Sequence, residues 1–152
     1  IELPEKIFYA DSRTRIGRYK NLVIKPNRFE AKRAIEPEWA GEDVNIDEVK
    51  EIGKTLLSHT GQSLFITGGC SGIVVFDGDE ISHVPGIPVE GQVDPVGAGD
   101  SVKTGLVTSL NCGGRYNKAA IIGNLVASIT VTKIGTTGTA SPDEVINRFL
   151  SL

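Results

Sequence analysis

A run of small residues followed by an acidic residue is the segment of this sequence best suited to chemistry. It begins at Asp94, continues through Gly97, Ala98 and Gly99, and ends at Asp100. Small residues ahead of a helix expose backbone N–H groups, which, with the helix dipole, bind a phosphate or stabilise a developing negative charge. A carboxylate at the mouth of such an anion hole suits a general base that takes a proton from an attacking hydroxyl. A tight strand-to-helix turn, with a carboxylate that only complements the dipole, remains the alternative.

Asn27 and Glu30 are a second pair of residues that could take part in chemistry. Residues three apart share one face of a helical turn, and hard oxygen ligands suit Mg²⁺, which usually retains several of its waters. Taken alone, such a pair is more often a helix N-cap and a surface carboxylate. Both interpretations stay open at this point.

Apolar periodicity predicts the elements that would position these residues. Spacing typical of an amphipathic helix precedes Thr60-Gly61, whereas short apolar runs bounded by turn residues indicate strands. The predicted strands are 6–10, 22–25, 63–67, 73–76 and 80–84, the last two joined as a hairpin through Asp77-Gly78, with a further short strand end at Val93. The predicted helices are 27–35, 47–59, one ending at Leu110, 116–133, and one capped by Ser141 and running to Leu150.

Alternation of strands and helices predicts an α/β sheet covered by helices. In such sheets, ligands bind beyond the carboxyl ends of the strands. The turns at Asp11, Pro26-Asn27, Gly68-Gly69 and 97–99 each follow a predicted strand. We therefore expect them to converge on one crevice.

Asp94 to Leu106 reads D-P-V-G-A-G-D-S-V-K-T-G-L and resembles the second signature of the PfkB/ribokinase family of carbohydrate kinases, D-T-T-G-A-G-D-x-F-x-A-G. Val102 and Thr104 depart from it, in the helix behind the anion hole, where they affect packing only. The resemblance implies a ribokinase-like three-layer α/β fold with helices on both faces of the sheet. It also implies ATP-dependent phosphoryl transfer to a hydroxyl of a sugar or sugar phosphate, with Asp100 as the base and the amides of 97–99 as the anion hole.

Further segments resemble other elements of the family and imply cofactor sites. Asn27 and Glu30 match the N-x-x-E element that holds Mg²⁺ and the nucleotide phosphates through water. Thr67, Gly69 and Gly72 belong to a T-x-G-x-x-G turn beside the nucleotide, and Asn124 lies in the helix that lines the adenine pocket. Some relatives bind a monovalent cation such as K⁺, mainly through backbone carbonyls, at positions that correspond to Asp94, Val96, Thr130, Lys133, Gly135 and Thr139.

The resemblance covers about residues 11–150, and it predicts which part of a kinase this chain represents. Because the sequence starts at Ile1 and contains no methionine, we expect an upstream segment. Residues 1–152 are therefore predicted to be the C-terminal, nucleotide-binding and catalytic part of one kinase domain. The missing N-terminal half would bind the sugar and act as a partner, and a homodimer is a further expectation. Residues 124–136 and 141–145 most resemble kinases of heptose 7-phosphate.

Composition limits the other function classes. The chain has 39% hydrophobic and 23% charged residues and a net charge of −3, so it lacks the positive field that nucleic-acid binding requires. No apolar run approaches the roughly 18 residues of a membrane span. Cys70 and Cys112 show neither metal-ligand nor disulfide spacing, which predicts two reduced, partly buried thiols in a cytoplasmic protein.

Three alternative functions differ in what they require of the sequence. A binding module could retain the nucleotide without performing chemistry. A dinucleotide-binding oxidoreductase is disfavoured because no G-x-G-x-x-G follows the first strand, and no G-x-x-x-x-G-K-[ST] motif occurs either. A purely structural piece would have a sheet edge completed by the absent half, and an exposed edge would favour association.

Overall fold

The computed structural model describes residues 6–152, which form two compact units, one ending at Val84 and the other spanning Pro85–Leu152. The first unit contains a five-stranded sheet in the order β1-β2-β3-β4-β5. Strands β1 to β3 are parallel, whereas β4 is antiparallel to both of its neighbours. The strands are Tyr9–Ala10, Val23–Ile24, Leu64–Thr67, Ile73–Asp77 and Glu80–Val84. The mixed sheet confirms the predicted α/β class.

Two helices, α1 (Arg28–Ile35) and α2 (Ile46–Thr60), connect β2 to β3. Their apolar sides form one core with Leu64, Ile66 and Phe76 of the sheet. Full burial of a side chain such as Phe76 stabilises the fold by about 1.5–3 kcal/mol. The amphipathic spacing predicted ahead of Thr60-Gly61 therefore corresponds to the side of α2 that packs on the sheet, with Val49, Ile52 and Leu56.

Side chains alternate along β3, as the period of a strand requires. Leu64 and Ile66 belong to the core shared with the two helices. Phe65 points to the opposite face together with its cross-strand partner Val75, and both are buried. The centre of the sheet is thus apolar on both faces.

The second unit contains three helices: α3 (Ala98–Asn111), α4 (Tyr116–Thr130) and α5 (Pro142–Leu150). Helices α3 and α4 approach closely where Gly105 meets Gly123. A Cβ atom added at Gly105 would lie 2.8 Å from the Gly123 Cα and 2.9 Å from the Ile122 carbonyl oxygen. Because these neighbours are backbone atoms, only glycine allows this helix spacing.

Several predicted boundaries need correction. The strand predicted at Val93 is wrong, since the structure has none there, and the turn at 97–99 consequently does not follow a strand. Instead, the Asp94 N–H donates one isolated hydrogen bond to the Val131 carbonyl. Helix α4 ends at Thr130 rather than Lys133. The N–H groups of Thr132 and Lys133 donate to the carbonyls three residues before them, as in a 3₁₀ turn, and so do not continue the α-helix. The first two strands are shorter than predicted, and a 3₁₀ turn at Ile16–Arg18 was not predicted.

The hairpin prediction is confirmed with a shift of one residue. Asp77 pairs with Glu80, so the two loop residues are Gly78 and Asp79. The prediction of partly buried thiols is wrong, because Cys70 and Cys112 are both exposed; each is a free cysteine. Among the described residues, no helix combines the length and the apolar character needed to cross a membrane.

The contact at Gly105 predicts the effect of adding one methyl group. We expect Gly105→Ala to lower the free energy of unfolding by about 1–3 kcal/mol because the helix backbones must separate. Gly99→Ala is the matched control, since a Cβ at Gly99 meets no atom within 4 Å. Urea denaturation of both variants measures the difference. Equal stability of the two would show that α3 and α4 tolerate a wider spacing.

Candidate active site

The turn that leads into α3 has the geometry of an anion-binding loop. The Ala98 N–H donates to the Pro95 carbonyl at 3.1 Å, which closes a turn over Val96 and Gly97. Gly97 adopts a left-handed conformation with φ of 80°, and α3 begins at the next residue. A Cβ at Gly97 would also lie 3.0 Å from the Thr137 Cγ2 atom. The backbone angle therefore favours glycine here, and an added Cβ would also crowd the Thr137 methyl group.

Asp94 holds this turn in place. Its Oδ1 atom accepts the Val96 N–H at 3.0 Å, and its Oδ2 atom accepts the Gly135 N–H at 3.2 Å. Its own N–H donates to the Val131 carbonyl at 2.8 Å. One residue thus attaches the turn to the segment that follows α4.

Backbone N–H groups at the start of α3 supply the candidate anion hole. Of the three predicted donors, Ala98 is engaged in the turn with Pro95. Within residues 6–152, the structure shows no acceptor for the N–H groups of Gly97 and Gly99. An anion at this helix end would receive both bonds and the favourable helix dipole.

Asp100 lies in the first turn of α3, beside these amides. Its side chain is 71% exposed, and its Oδ1 atom accepts a hydrogen bond from the Lys103 Nζ at 2.6 Å. The hydroxyl of Thr104, one of the two departures from the family signature, donates to the Asp100 carbonyl at 2.9 Å. Val102, the other departure, is buried. Lys103 was not among the predicted site residues, although its spacing of three residues from Asp100 on a helix is the signal for such a pair.

In the first unit, Asn27 and Glu30 form a capping box at the start of α1. The Asn27 Oδ1 atom accepts the Glu30 N–H at 2.8 Å, and the Glu30 Oε2 atom accepts the Asn27 N–H at 2.8 Å. The N-cap alternative is therefore correct as a structural description. A role of the Glu30 carboxylate in holding Mg²⁺ remains compatible with it, because a carboxylate offers about four lone-pair sites.

The glycine-rich turn after β3 lies next to Asn27. Thr67 forms an isolated parallel bridge with Asn27, and its N–H donates to the Pro26 carbonyl at 3.0 Å. The turn itself is closed by a 2.8 Å bond from the Gly68 N–H to the Gly72 carbonyl, with Gly69 inside it. The first unit thus brings together all five of its predicted site residues, namely Asn27, Glu30, Thr67, Gly69 and Gly72.

A buried charge next to this cluster was not singled out from the sequence. Lys25 is only 4% exposed, and its Nζ lies 3.4 Å from the Asp11 Oδ2 atom. The sequence signal for this buried charge was a lysine two positions before Asn27, at the end of a buried strand. The ion pair therefore involves the residue two positions before Asn27 in the sequence.

The remaining predicted residues lie on or after α4. Asn124 is buried, and its Nδ2 atom donates to the Pro85 carbonyl at 2.8 Å, so it holds the start of the 85–92 loop. The Thr130 hydroxyl donates to the Ser101 hydroxyl at 2.9 Å. Lys133, Gly135 and Thr139 follow in the segment between α4 and α5. Among the described residues, no cluster of three His, Cys, Asp or Glu side chains could hold a metal ion directly.

Comparison with solved structures defines the class of protein. The crystal structure of the Methanocaldococcus jannaschii nucleoside kinase, an archaeal member of the ribokinase family, aligns with a TM-score of 0.74 and 23% sequence identity. The alignment covers 97% of this chain and 49% of that chain. The chain therefore has a ribokinase-like α/β fold.

Residues 17–144 match the pfkB family of carbohydrate kinases, and the chain belongs to this family. It is 34% identical over 134 residues to the bifunctional protein HldE of Geotalea uraniireducens, covering 86% of this chain but only 26% of that protein. Inositol 3-kinase of Arabidopsis thaliana is 43% identical over 70 residues, which are 46% of this chain and 20% of that protein. The chain thus spans about a quarter of the length of the bifunctional relative.

Asp94 provides a direct test of how the turn is held. We expect Asp94→Asn to lower the free energy of unfolding by about 1–3 kcal/mol, because the amide has one acceptor oxygen for two N–H donors. Exchange of the Val96 or Gly135 amide hydrogen should become faster, which NMR measures. Asp79→Asn, at an exposed position in the hairpin loop, is the control. Unchanged exchange at both amides would contradict the proposed anchoring.

Proposed function

We propose that this chain is the nucleotide-binding and catalytic part of a kinase that transfers a phosphoryl group from ATP to a hydroxyl of a sugar or sugar phosphate. The observation that carries the proposal is the start of α3. Gly97 in a left-handed conformation and Gly99, whose N–H has no acceptor among the described residues, precede the carboxylate of Asp100 there. Membership of the pfkB family supports the reaction class.

In this proposal, Asp100 acts as the general base. The acceptor hydroxyl oxygen forms a bond to the γ-phosphorus, its proton passes to the Asp100 carboxylate, and the bond to the β–γ bridging oxygen breaks to release ADP. The amides of Gly97, Ala98 and Gly99 stabilise the negative charge of the transferred group. Since Ala98 is already engaged in the turn, Gly97 and Gly99 supply the main donors.

The first unit would contribute to nucleotide and metal binding. The Thr67 to Gly72 turn offers backbone that ribose and phosphate can approach closely, and Asn124 in the second unit is proposed to line the adenine pocket. Asn27 and Glu30 would hold Mg²⁺ through water molecules. Bound Mg²⁺ offsets phosphate charge, and a single carboxylate with waters is a donor set that this ion accepts.

The acceptor is proposed to be a sugar phosphate related to heptose 7-phosphate. Similarity to the bifunctional protein HldE over most of the chain supports this narrower class. The inositol 3-kinase relative matches a shorter segment and supports only the wider class of polyhydroxylated acceptors. We further propose a cytoplasmic location, an N-terminal half that binds the acceptor, and assembly as a homodimer.

Replacement of the base tests the proposed function. In the full-length protein, we expect Asp100→Asn to lower kcat by about 10²–10⁴-fold with ATP affinity retained, because the proton acceptor is lost. Asp47→Asn is the matched control, since Asp47 also lies in a first helical turn and pairs with a lysine three residues on. Steady-state kinetics and ATP calorimetry measure the two effects. Turnover within tenfold of the wild type would show that Asp100 is not the base.

Glu30→Gln separates metal binding from helix capping. The glutamine oxygen can still accept the Asn27 N–H, so we expect the free energy of unfolding to change by less than about 0.5 kcal/mol. The Mg²⁺ concentration for half-maximal activity should rise at least about tenfold, because the carboxylate charge is lost. Glu48→Gln, in the capping box of α2, is the control and should leave the Mg²⁺ dependence unchanged. An equal Mg²⁺ requirement in both variants would assign Glu30 to capping alone.

A further inference from the structure

The 85–92 loop, which leads from β5 toward Asp94, has little backbone structure of its own. None of its residues belongs to a helix or a strand, and within residues 6–152 the structure shows no backbone–backbone hydrogen bond that involves them. Pro85 and Pro88 also lack an N–H group, so their backbones can only accept hydrogen bonds. Donors from other elements must therefore hold this loop.

Two side chains donate to the proline carbonyls. The Asn124 Nδ2 atom donates to the Pro85 carbonyl at 2.8 Å, and the Arg148 Nη2 atom donates to the Pro88 carbonyl at 2.5 Å. The Arg148 Nε atom also donates to the Ser128 hydroxyl at 3.4 Å. One guanidinium group on α5 thus connects the loop to α4, and an arginine remains charged throughout the physiological pH range.

The two ends of the loop are fixed closer together than its length requires. Its start is bound by Asn124, and at its far end the Asp94 N–H donates to the Val131 carbonyl at 2.8 Å. Asn124 and Val131 are seven positions apart along α4 and its C-cap, which is about 10 Å of helix. The nine residues of chain between the two contacts could span about 30 Å. The loop therefore has excess length, and the contact at Pro88 restricts it between its ends.

Helix α5 is itself fixed close to Arg148. Glu144, one turn earlier, accepts a hydrogen bond from the Lys133 Nζ at 2.7 Å and completes the capping box with Ser141. The bond from Lys133 and the backbone bond from Ser141 lower the pKa of Glu144 to about 2, so this carboxylate is ionised at neutral pH. The guanidinium group therefore extends from a helix that is tied to the segment after α4.

The loop adjoins two parts of the proposed nucleotide site. Its start lies on Asn124, which is proposed to line the adenine pocket. Its end leads into Asp94, whose carboxylate accepts the N–H groups of Val96 and Gly135, and α3 begins four residues later. A loop that is already ordered loses less conformational entropy when a ligand packs against it. Holding the loop in place therefore favours binding of the nucleotide.

We propose that Arg148 is a positioning residue for the nucleotide: it holds the 85–92 loop in the conformation that ATP binds and takes no part in phosphoryl transfer. This inference rests on the proposed kinase function for its ligand and on the Arg148 contacts for its structure. Because the guanidinium group acts through the loop, its removal should weaken ATP binding and leave the chemical step intact.

Steady-state kinetics of the full-length protein tests the proposal. We expect Arg148→Gln to raise the KM for ATP about 5–20-fold, with kcat within about twofold of the wild type, because the charged donor to the Pro88 carbonyl is lost. Arg148→Lys keeps a charged donor and should raise this KM less than about threefold. Arg115→Gln is the matched control for lost positive charge, since Arg115 is exposed at the N-cap of α4 and makes no capping bond. An equal rise in KM in the control would overturn the proposal.

NMR relaxation tests the same point without nucleotide. In the nucleotide-free wild type, the amides of Ile87 and Val89 should have order parameters of about 0.85, and Arg148→Gln should lower them below about 0.6. Flexible amides in the wild type would overturn the proposal, and that measurement needs no variant to fold. An unchanged KM for ATP in Arg148→Gln would also overturn it, as would a fall in kcat alone. Failure of the Asp100→Asn test would remove the proposed base and leave the Arg148 result standing.

Discussion

The Asp94 carboxylate is the contact on which the candidate anion hole depends. It accepts N–H groups from Val96 and from Gly135, which lies 41 residues further along the chain. Hydrogen bonds to a charged acceptor contribute about 1.5–3 kcal/mol each, enough to keep a short glycine turn in one conformation. Because the turn has no strand before it, its position relies on this carboxylate and on the Thr137 contact at Gly97.

Three helices in the described part of the chain begin with a capping box, so this motif alone does not identify a metal site. Capping boxes occur at Asn27 and Glu30, at Asn45 and Glu48, and at Ser141 and Glu144. The first two are both N-x-x-E, yet only Asn27 also bridges to Thr67 at the glycine turn. The spacing alone therefore indicates a helix start, and the neighbouring strand end makes Mg²⁺ binding a reasonable proposal.

The sequence predicted the elements better than the contacts between them. Apolar periodicity and the terminating Thr60-Gly61 placed α2 to within one residue at each end, and the family signature located the turn before α3. The strand at Val93 was predicted wrongly because a single apolar residue beside Asp94 looks the same whether its backbone pairs with a strand or with a loop carbonyl. The ion pairs of Lys25 with Asp11 and of Lys133 with Glu144 join residues 14 and 11 positions apart, so neither local propensity nor periodicity signals them.

Lys103 places a positive charge beside the negative charge of Asp100 at the start of α3. A carboxylate beside these amides would repel a phosphate bound there, and this repulsion would grow if water left the site. The Lys103 ammonium, 2.6 Å from the Asp100 Oδ1 atom, offsets that charge locally. The amides of Gly97 and Gly99 carry the partial positive charge of the helix end. With Lys103 one turn further on, the Asp100 carboxylate can lie beside the open amides of this helix end without leaving an unbalanced negative charge there.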